Sequence, residues 1–112
     1  MNATGDILRR LAANDERCLR SVLSGQRTYI PALDRVTRSL VQLSALLAVD
    51  APTASLRWAV DVASTAGADD VALVQVLVAA APTTGAAQTV TCAPRLALAL
   101  GLDLEVEGWD GT

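Results

Sequence analysis

The chain has 112 residues, which is close to the common size of one domain and leaves no room for a second hydrophobic core. Its net charge is -3, and all 9 basic residues are arginines scattered among acidic ones, which argues against nucleic acid as a partner. Histidine is absent and the 2 cysteines, Cys18 and Cys92, lie far apart, so we expect no metal site, no cofactor and no disulfide framework.

The composition also indicates how the chain packs and where it works. Hydrophobic residues make up 52% of the chain but aromatic residues only 3%, so the core must be built from Ala, Val and Leu, which suit contacts between helices. A small domain with such a core buries little surface, and we expect it to self-associate. The polar N-terminus lacks a secretory signal pattern and the longest apolar run is too short to span a bilayer, which predicts a cytoplasmic protein with no membrane partner. The alanine-rich, arginine-only composition is typical of a bacterium with a GC-rich genome.

The first predicted element is one long amphipathic helix that ends near Ser24 and Gly25. Its apolar residues recur at helical intervals, at Ile7, Leu8, Leu11, Leu19 and Val22. A loop that contains Tyr29 and Pro31 follows this helix.

Two further helices are predicted on either side of a break at residues 50–52. Asp34 stands where an N-cap belongs, ahead of an apolar stripe formed by Val36, Leu40, Leu43 and Leu47. After the break, Pro52 or Thr53 opens a helix that Gly67 ends, since glycine commonly follows the last turn of a helix.

The last two predicted helices are interrupted by proline and glycine. Asp69 and Asp70 favour the start of a helix from Val71 to Ala81, which is apolar almost all the way round and is therefore central and buried or shared between subunits. Residues 82–85 end it, and a fifth helix runs from about Ala86 to Leu100 with Thr84, Gln88 and Thr91 on a polar stripe that is either pocket lining or, slightly favoured, a solvated face. The remaining residues, 102–112, are interpreted as an extended arm that docks Trp109 on a neighbouring surface.

Three segments, in this order, carry a family resemblance: LDRVTRSLVQLSALLAV, LRWAVDVASTAGADD and VLVAAAPTTGAA. They resemble the carboxymuconolactone decarboxylase-like superfamily, which also contains the alkylhydroperoxidase-D-like thiol peroxidases. The resemblance implies an all-α fold with a helix-hairpin core at residues 33–101, inside a single domain 1–112 that adds an N-terminal helix and loop (1–32) and a C-terminal tail (102–112). It also implies a homo-oligomer, either a trimer or a hexamer.

The peroxidase branch of that superfamily carries a CxxC pair at the start of the third helix and a His four residues later. The corresponding positions here hold Pro52, Ser55 and Ala59. Because the thiol pair is absent, we expect no dithiol peroxidase activity, and Cys18 and Cys92 are interpreted as small buried hydrophobes.

The decarboxylase branch fits better, because TRSLV at residues 37–41 and LRW at residues 56–58 resemble its pattern. The resemblance implies that Arg38 and Arg57 bind the carboxylates of a small anionic lactone or carboxylic acid, and we expect the two side chains to converge. The alternative is structural, with Arg38 paired to Asp34 and Arg57 to Asp61 at helical spacing.

Two functions stay open. In the first, the chain is a lyase-like or isomerase-like enzyme acting on a carboxylic acid, with Tyr29, Asp61 or Cys92 as candidate proton donors in place of the missing His. In the second, it is a catalytically degenerate, non-enzymatic oligomeric subunit or ligand-binding member of the family.

Overall fold

The computed structural model describes residues 3–24 and 33–102, and every regular element in these two ranges is an α-helix, as the composition predicts. The helices are α1 (Ala3–Ala12), α2 (Glu16–Leu23), α3 (Arg35–Ala48), α4 (Thr53–Ala66), α5 (Asp70–Thr84) and α6 (Ala86–Leu100). No helix within the described ranges has the length and apolar character needed to cross a membrane. The chain divides into two compact units, Met1–Leu33 and Asp34–Thr112.

The first unit contains two helices where the sequence predicted one, so that prediction was wrong. Asn14 adopts a left-handed conformation with φ of 57°, and the Asp15 N–H donates to the Arg10 carbonyl across the end of α1. The Asp15 carboxylate then accepts from the Cys18 N–H and caps α2. Asn tolerates positive φ and Asp is a preferred N-cap, so this pair breaks a helix that the apolar spacing alone would continue.

The second unit begins with a hairpin of α3 and α4 whose predicted limits are confirmed. The Asp34 carboxylate accepts from the Thr37 N–H at 2.7 Å, and this hydrogen bond lowers the pKa of Asp34. Gly67, with φ of 114°, ends α4 in a left-handed conformation. A Cβ built on Gly67 would lie 3.7 Å from Cγ2 of Val36, so the end of α4 packs beside the start of α3.

Between the two helices the chain turns at Asp50, which has φ of 57°. The Ala51 N–H donates to the Leu46 carbonyl at 3.0 Å, which closes the end of α3 with the bond typical of a helix terminus that has a left-handed residue. Glycine is usual at this position because it has no Cβ, and Asp is one of the few alternatives that tolerate it.

Helix α5 differs from its prediction in two respects. It begins at Asp70 behind an Asp69 cap, as expected, but it continues through Pro82 to Thr84. Pro82 has no amide N–H and so removes one helical hydrogen bond, and the helix tolerates this loss near its end. The helix ends at Gly85 and not at the proline. The interpretation of α5 as a central buried helix was wrong within this chain, because Leu73 is its only fully buried residue.

The core lies between α3, α4 and α6, with α5 packed on α3 and α6. It is built from small and medium side chains, as predicted: Leu43, Leu47, Ala51, Leu56, Ala59, Val60, Ala63, Ala68, Leu73, Cys92 and Leu96. Helix α6 contributes to it from within its predicted limits and continues through Pro94.

Replacing Leu73 by Ala should lower the free energy of unfolding by about 2–5 kcal/mol, because it removes the only fully buried side chain of α5 and leaves a cavity. Thr83→Ala on the same helix should cost less than about 1 kcal/mol, since Thr83 is exposed. Urea unfolding monitored by circular dichroism measures both changes. Equal losses for the two variants would contradict the placement of α5 described above.

Candidate functional site

An open groove runs along the outer side of the α3/α4 hairpin, and we call it the α4 groove. It is lined by Leu46, Ala54, Ser55 and Trp58 and has a volume of about 390 Å³. Its lining is apolar apart from the Ser55 hydroxyl, and Trp58, which forms one wall, is 58% exposed. Its lining has the composition of a small-ligand site, but the groove is open and would leave much of a ligand exposed to water.

The helical periodicity of α4 explains why the groove forms on this side. Leu56 and Ala63 face the core, and Ala54 and Trp58 fall on the opposite side of the helix because each residue advances the helix by about 100°. Trp58 is therefore exposed on this outer side of α4. The alternation of exposed and buried positions along α4 could have indicated its true place.

The three positions that the family resemblance assigns to chemistry differ in their exposure. Ser55 lines the α4 groove, and Pro52 is exposed at the start of α4. Ala59, at the position of the missing His, is only 2% exposed and belongs to the core. Two of the three positions, Pro52 and Ser55, are therefore accessible, and the third, Ala59, is a buried methyl group.

Arg57 and Arg38 occupy different places on the hairpin. Arg57 is exposed on α4, next in sequence to Trp58 and one turn from the start of the groove. Arg38 is half-buried on α3, and the nine residues that separate it from Leu47 make about two and a half turns, so it lies on the side of α3 away from the core.

The structure does not bring these two arginines together. Leu46 meets Ser55 and Trp58 across the groove, so Arg57 lies near the level of Leu46. Arg38 precedes Leu46 by eight residues of α3, which is about 12 Å along the hairpin. A single small carboxylate cannot bridge that distance unless both side chains extend toward each other. The binding of one carboxylate by both arginines stays a prediction.

The three candidate proton donors have different surroundings. Asp61 is exposed on α4 one turn after Arg57, and these two described residues form no ion pair with each other. Tyr29 lies outside the described residues. Cys92 is 2% exposed in the core, away from the groove, and burial raises the pKa of its thiol above the ordinary 9.0, with the Asp50 carboxylate adding to the effect. A buried thiol with a raised pKa is a poor nucleophile and a weak acid.

Cys92 has a structural role that the sequence did not indicate. Its thiol donates to the Leu47 carbonyl at 3.3 Å, and the Gln88 amide donates to the same carbonyl at 2.7 Å. The Gln88 amide also contacts the Cys92 sulfur at 3.3 Å. This small network joins the middle of α6 to the last turn of α3.

The residues of the polar stripe have different surroundings. Gln88 is half-buried in the network around Leu47, and two turns further on, Arg95 forms an ion pair with Asp50. Thr84 donates to a carbonyl of its own chain at Ala80, and Thr91 is exposed. Two of these four residues, Gln88 and Arg95, therefore make interhelical contacts.

Part of the TRSLV segment also serves the helix in which it lies. The Thr37 N–H is held by the Asp34 cap, and the buried Ser39 hydroxyl donates to the Arg35 carbonyl at 2.7 Å. Leu40 packs against the core. These contacts give residues of the segment structural roles that do not depend on a ligand.

Comparison with known proteins assigns the chain to no family. No protein-family model matches the chain, and searches of curated proteins and of solved structures find no similar protein. Within the described ranges, no group of three or more His, Cys, Asp or Glu side chains is arranged to hold a metal ion.

The free energy of unfolding should fall as the pH rises above about 9, and it should fall less in Cys92→Ala. The folded state raises the pKa of the Cys92 thiol, so above the ordinary value the unfolded state has lost a proton that the folded state keeps, and unfolding becomes more favourable. Urea unfolding of both proteins between pH 7 and pH 10.5 measures the difference. Parallel curves would mean that Cys92 titrates as an exposed thiol, against its observed burial.

Proposed function

We propose that this chain is a carboxymuconolactone decarboxylase-like protein that binds a small carboxylic acid in the α4 groove. The observation that carries the proposal is the position of the groove. It opens on the first turns of α4, where the resemblance places the chemistry of the family, and one of those family positions, Ser55, is part of its lining.

The groove offers complementary contacts to such a ligand. An apolar ring or chain can pack against the exposed Trp58 side chain and against Leu46, which removes apolar surface from water. The Ser55 hydroxyl can donate to a carboxylate oxygen or a lactone carbonyl. Arg57 is the cation on the adjoining flank of α4, and its exposed guanidinium can supply a charge-assisted hydrogen bond.

Arg38 has a more distant part in this proposal. Because it lies about 12 Å along the hairpin from the level of Arg57, it can reach only the far carboxylate of an extended dicarboxylate. A lactone acid or a monocarboxylate would then depend on Arg57 alone. Turnover, if the site has any, would be of the lyase or isomerase kind and would take its proton from Asp61, Tyr29 or water in preference to the buried Cys92.

The test is the thermal stability of the wild type with a panel of lactone acids, aromatic monocarboxylates and straight-chain dicarboxylates. A ligand at about 100 times its Kd stabilises the folded state by about 2.7 kcal/mol, which raises the melting temperature measurably. Trp58→Ala and Arg57→Gln should each reduce the shift, and the shift should weaken in high salt.

Arg38→Gln is the matched control, because it removes the same charge at a distance from the groove. It should leave the shift from monocarboxylates unchanged and reduce only that from long dicarboxylates. If the Arg38 and Arg57 variants lose the melting-temperature shift equally for every ligand, binding by two converging arginines is favoured over binding in the groove. If no acid stabilises the wild type, carboxylate binding is wrong.

A second candidate function, that of a non-enzymatic oligomeric subunit, is favoured by the exposed apolar face of α5. Val71 is 68% exposed and Val78 is 54% exposed, and Val74 lies between them on the same side of the helix. A row of exposed valines is uncommon on a monomer and typical of a surface that another chain covers.

The family resemblance implies a trimer or a hexamer, and if the valine face is its interface, Val78→Glu should dissociate it, because a buried charge without a partner is costly. Light scattering after size-exclusion chromatography measures the mass of each form against the 11.6 kDa of one chain. Val41→Glu, at an exposed valine of α3, is the control and should keep the oligomer intact. A wild-type monomer at micromolar concentration would contradict the assembly, and dissociation by the Val41 variant alone would place the interface elsewhere.

A further inference from the structure

We propose that Gln88 of α6 is a positioning residue of the α4 groove. Its amide donates to the Leu47 carbonyl, and this hydrogen bond fixes the last turn of α3, on which Leu46 forms one wall of the groove. The inference deepens the proposed function and rests on the same groove, but its main test needs no ligand.

The shape of the groove depends on how the end of α3 lies against the start of α4. Leu46 is its lining residue on α3, and the other three lining residues belong to α4. The two helices are joined by a short turn in which Asp50 has a left-handed conformation. A change in the last turn of α3 therefore moves one wall of the groove relative to the other.

Helix α6 holds the end of α3 through side chains. The helix itself packs chiefly on α4 and α5. It reaches the end of α3 and the following turn with three side chains: Gln88 and Cys92 at the Leu47 carbonyl, and Arg95 at Asp50. Because side chains make this connection, one substitution can release it without changing how α6 packs on α4.

Gln88 makes the strongest of these contacts. Its nitrogen lies 2.7 Å from the Leu47 oxygen, at the short end of the range for such hydrogen bonds. The Cys92 thiol donates to the same oxygen at 3.3 Å, but a thiol is a weak donor, and the Asp50 N–H is 3.4 Å away. The ion pair of Arg95 with Asp50 is partly exposed, and water weakens such a pair.

The hydrogen bond acts on Leu46 through the backbone. Leu46 and Leu47 are consecutive, so a movement of the Leu47 peptide group also changes the direction of the Leu46 side chain. The Ala51 N–H closes the turn at the Leu46 carbonyl independently of Gln88. Loss of the Gln88 amide should therefore loosen the groove wall without unfolding the end of α3.

The experiment uses the full chain with Trp109→Phe, which leaves Trp58 in the groove as the only tryptophan. Gln88→Met keeps the length of the side chain and removes its donor. We expect the emission of Trp58 to move to longer wavelength and acrylamide to quench it more strongly, because Leu46 no longer covers a fixed part of the ring. Both are measured well below the melting temperature.

Three control variants in the same background separate positioning from stability. Leu73→Ala destabilises the core from α5, whereas the groove is lined by α3 and α4, and it should leave the quenching of Trp58 unchanged. Thr91→Val removes an exposed hydroxyl from α6 and should also change nothing. Arg95→Gln should have a smaller effect than Gln88→Met, since its ion pair is partly exposed.

Unchanged Trp58 emission and quenching in Gln88→Met overturn the proposal. An equal rise in quenching in Leu73→Ala also overturns it, because the effect then follows stability alone. An equal or larger rise in Arg95→Gln overturns it as well, because the ion pair then holds the groove wall.

For a ligand, the consequence is affinity, because a wall that is ordered before binding does not have to be ordered by the ligand. Gln88→Met should raise the Kd of benzoate by about 2- to 5-fold, the cost of ordering one leucine side chain. Titration of Trp58 emission, excited where benzoate does not absorb, measures this change. An unchanged Kd overturns the positioning role. If benzoate does not bind the wild type, the carboxylate proposal fails for this acid, and the quenching of Trp58 without ligand still decides the role of Gln88.

Discussion

The architecture of the second unit depends on the Leu47 carbonyl at the end of α3. The last carbonyls of a helix have no donor within the helix, and a buried one without a partner is costly. Here the Asp50 N–H donates to it at 3.4 Å within the turn, and the Gln88 amide and the Cys92 thiol both donate to it from α6. This polar contact in an otherwise aliphatic core fixes the height of α6 against the hairpin, and the Arg95 to Asp50 ion pair continues it to the exposed edge.

This packing also decides which face of α4 is available to a ligand. With α3 and α6 against its inner face, α4 buries Ala59 and leaves Ser55 and Trp58 toward the outside. An imidazole at position 59 would have to enter a core of Leu and Ala side chains, where an unpartnered ring nitrogen is unfavourable. Position 59 is therefore closed by the core, whereas Ser55 and Trp58 line the groove.

The two arginines illustrate how a linear pattern can suggest a site that the fold separates. Arg38 and Arg57 follow each other on consecutive helices, and in an antiparallel hairpin such residues meet only if they are equally far from the turn. Arg57 lies near the level of Leu46, and Arg38 lies eight residues, about 12 Å, before Leu46 on α3. The difference moves them apart along the hairpin, and the rotation of α3 takes Arg38 further from the groove.

The sequence by itself determined the features that depend on neighbouring residues: the helical class, the Asp34 and Asp69 caps, the end of α4 at Gly67, and the limits of α6. Capping and left-handed glycine act within one turn, so their signals are local. The break at Asn14 was just as local, but it was concealed by an apolar spacing that continues through it. Only the tertiary structure decided that α5 keeps an exposed valine face, that Trp58 forms the wall of a groove and that Cys92 holds the end of α3. Each of these depends on which helix covers which face, and no residue can specify that without the neighbour against which it packs.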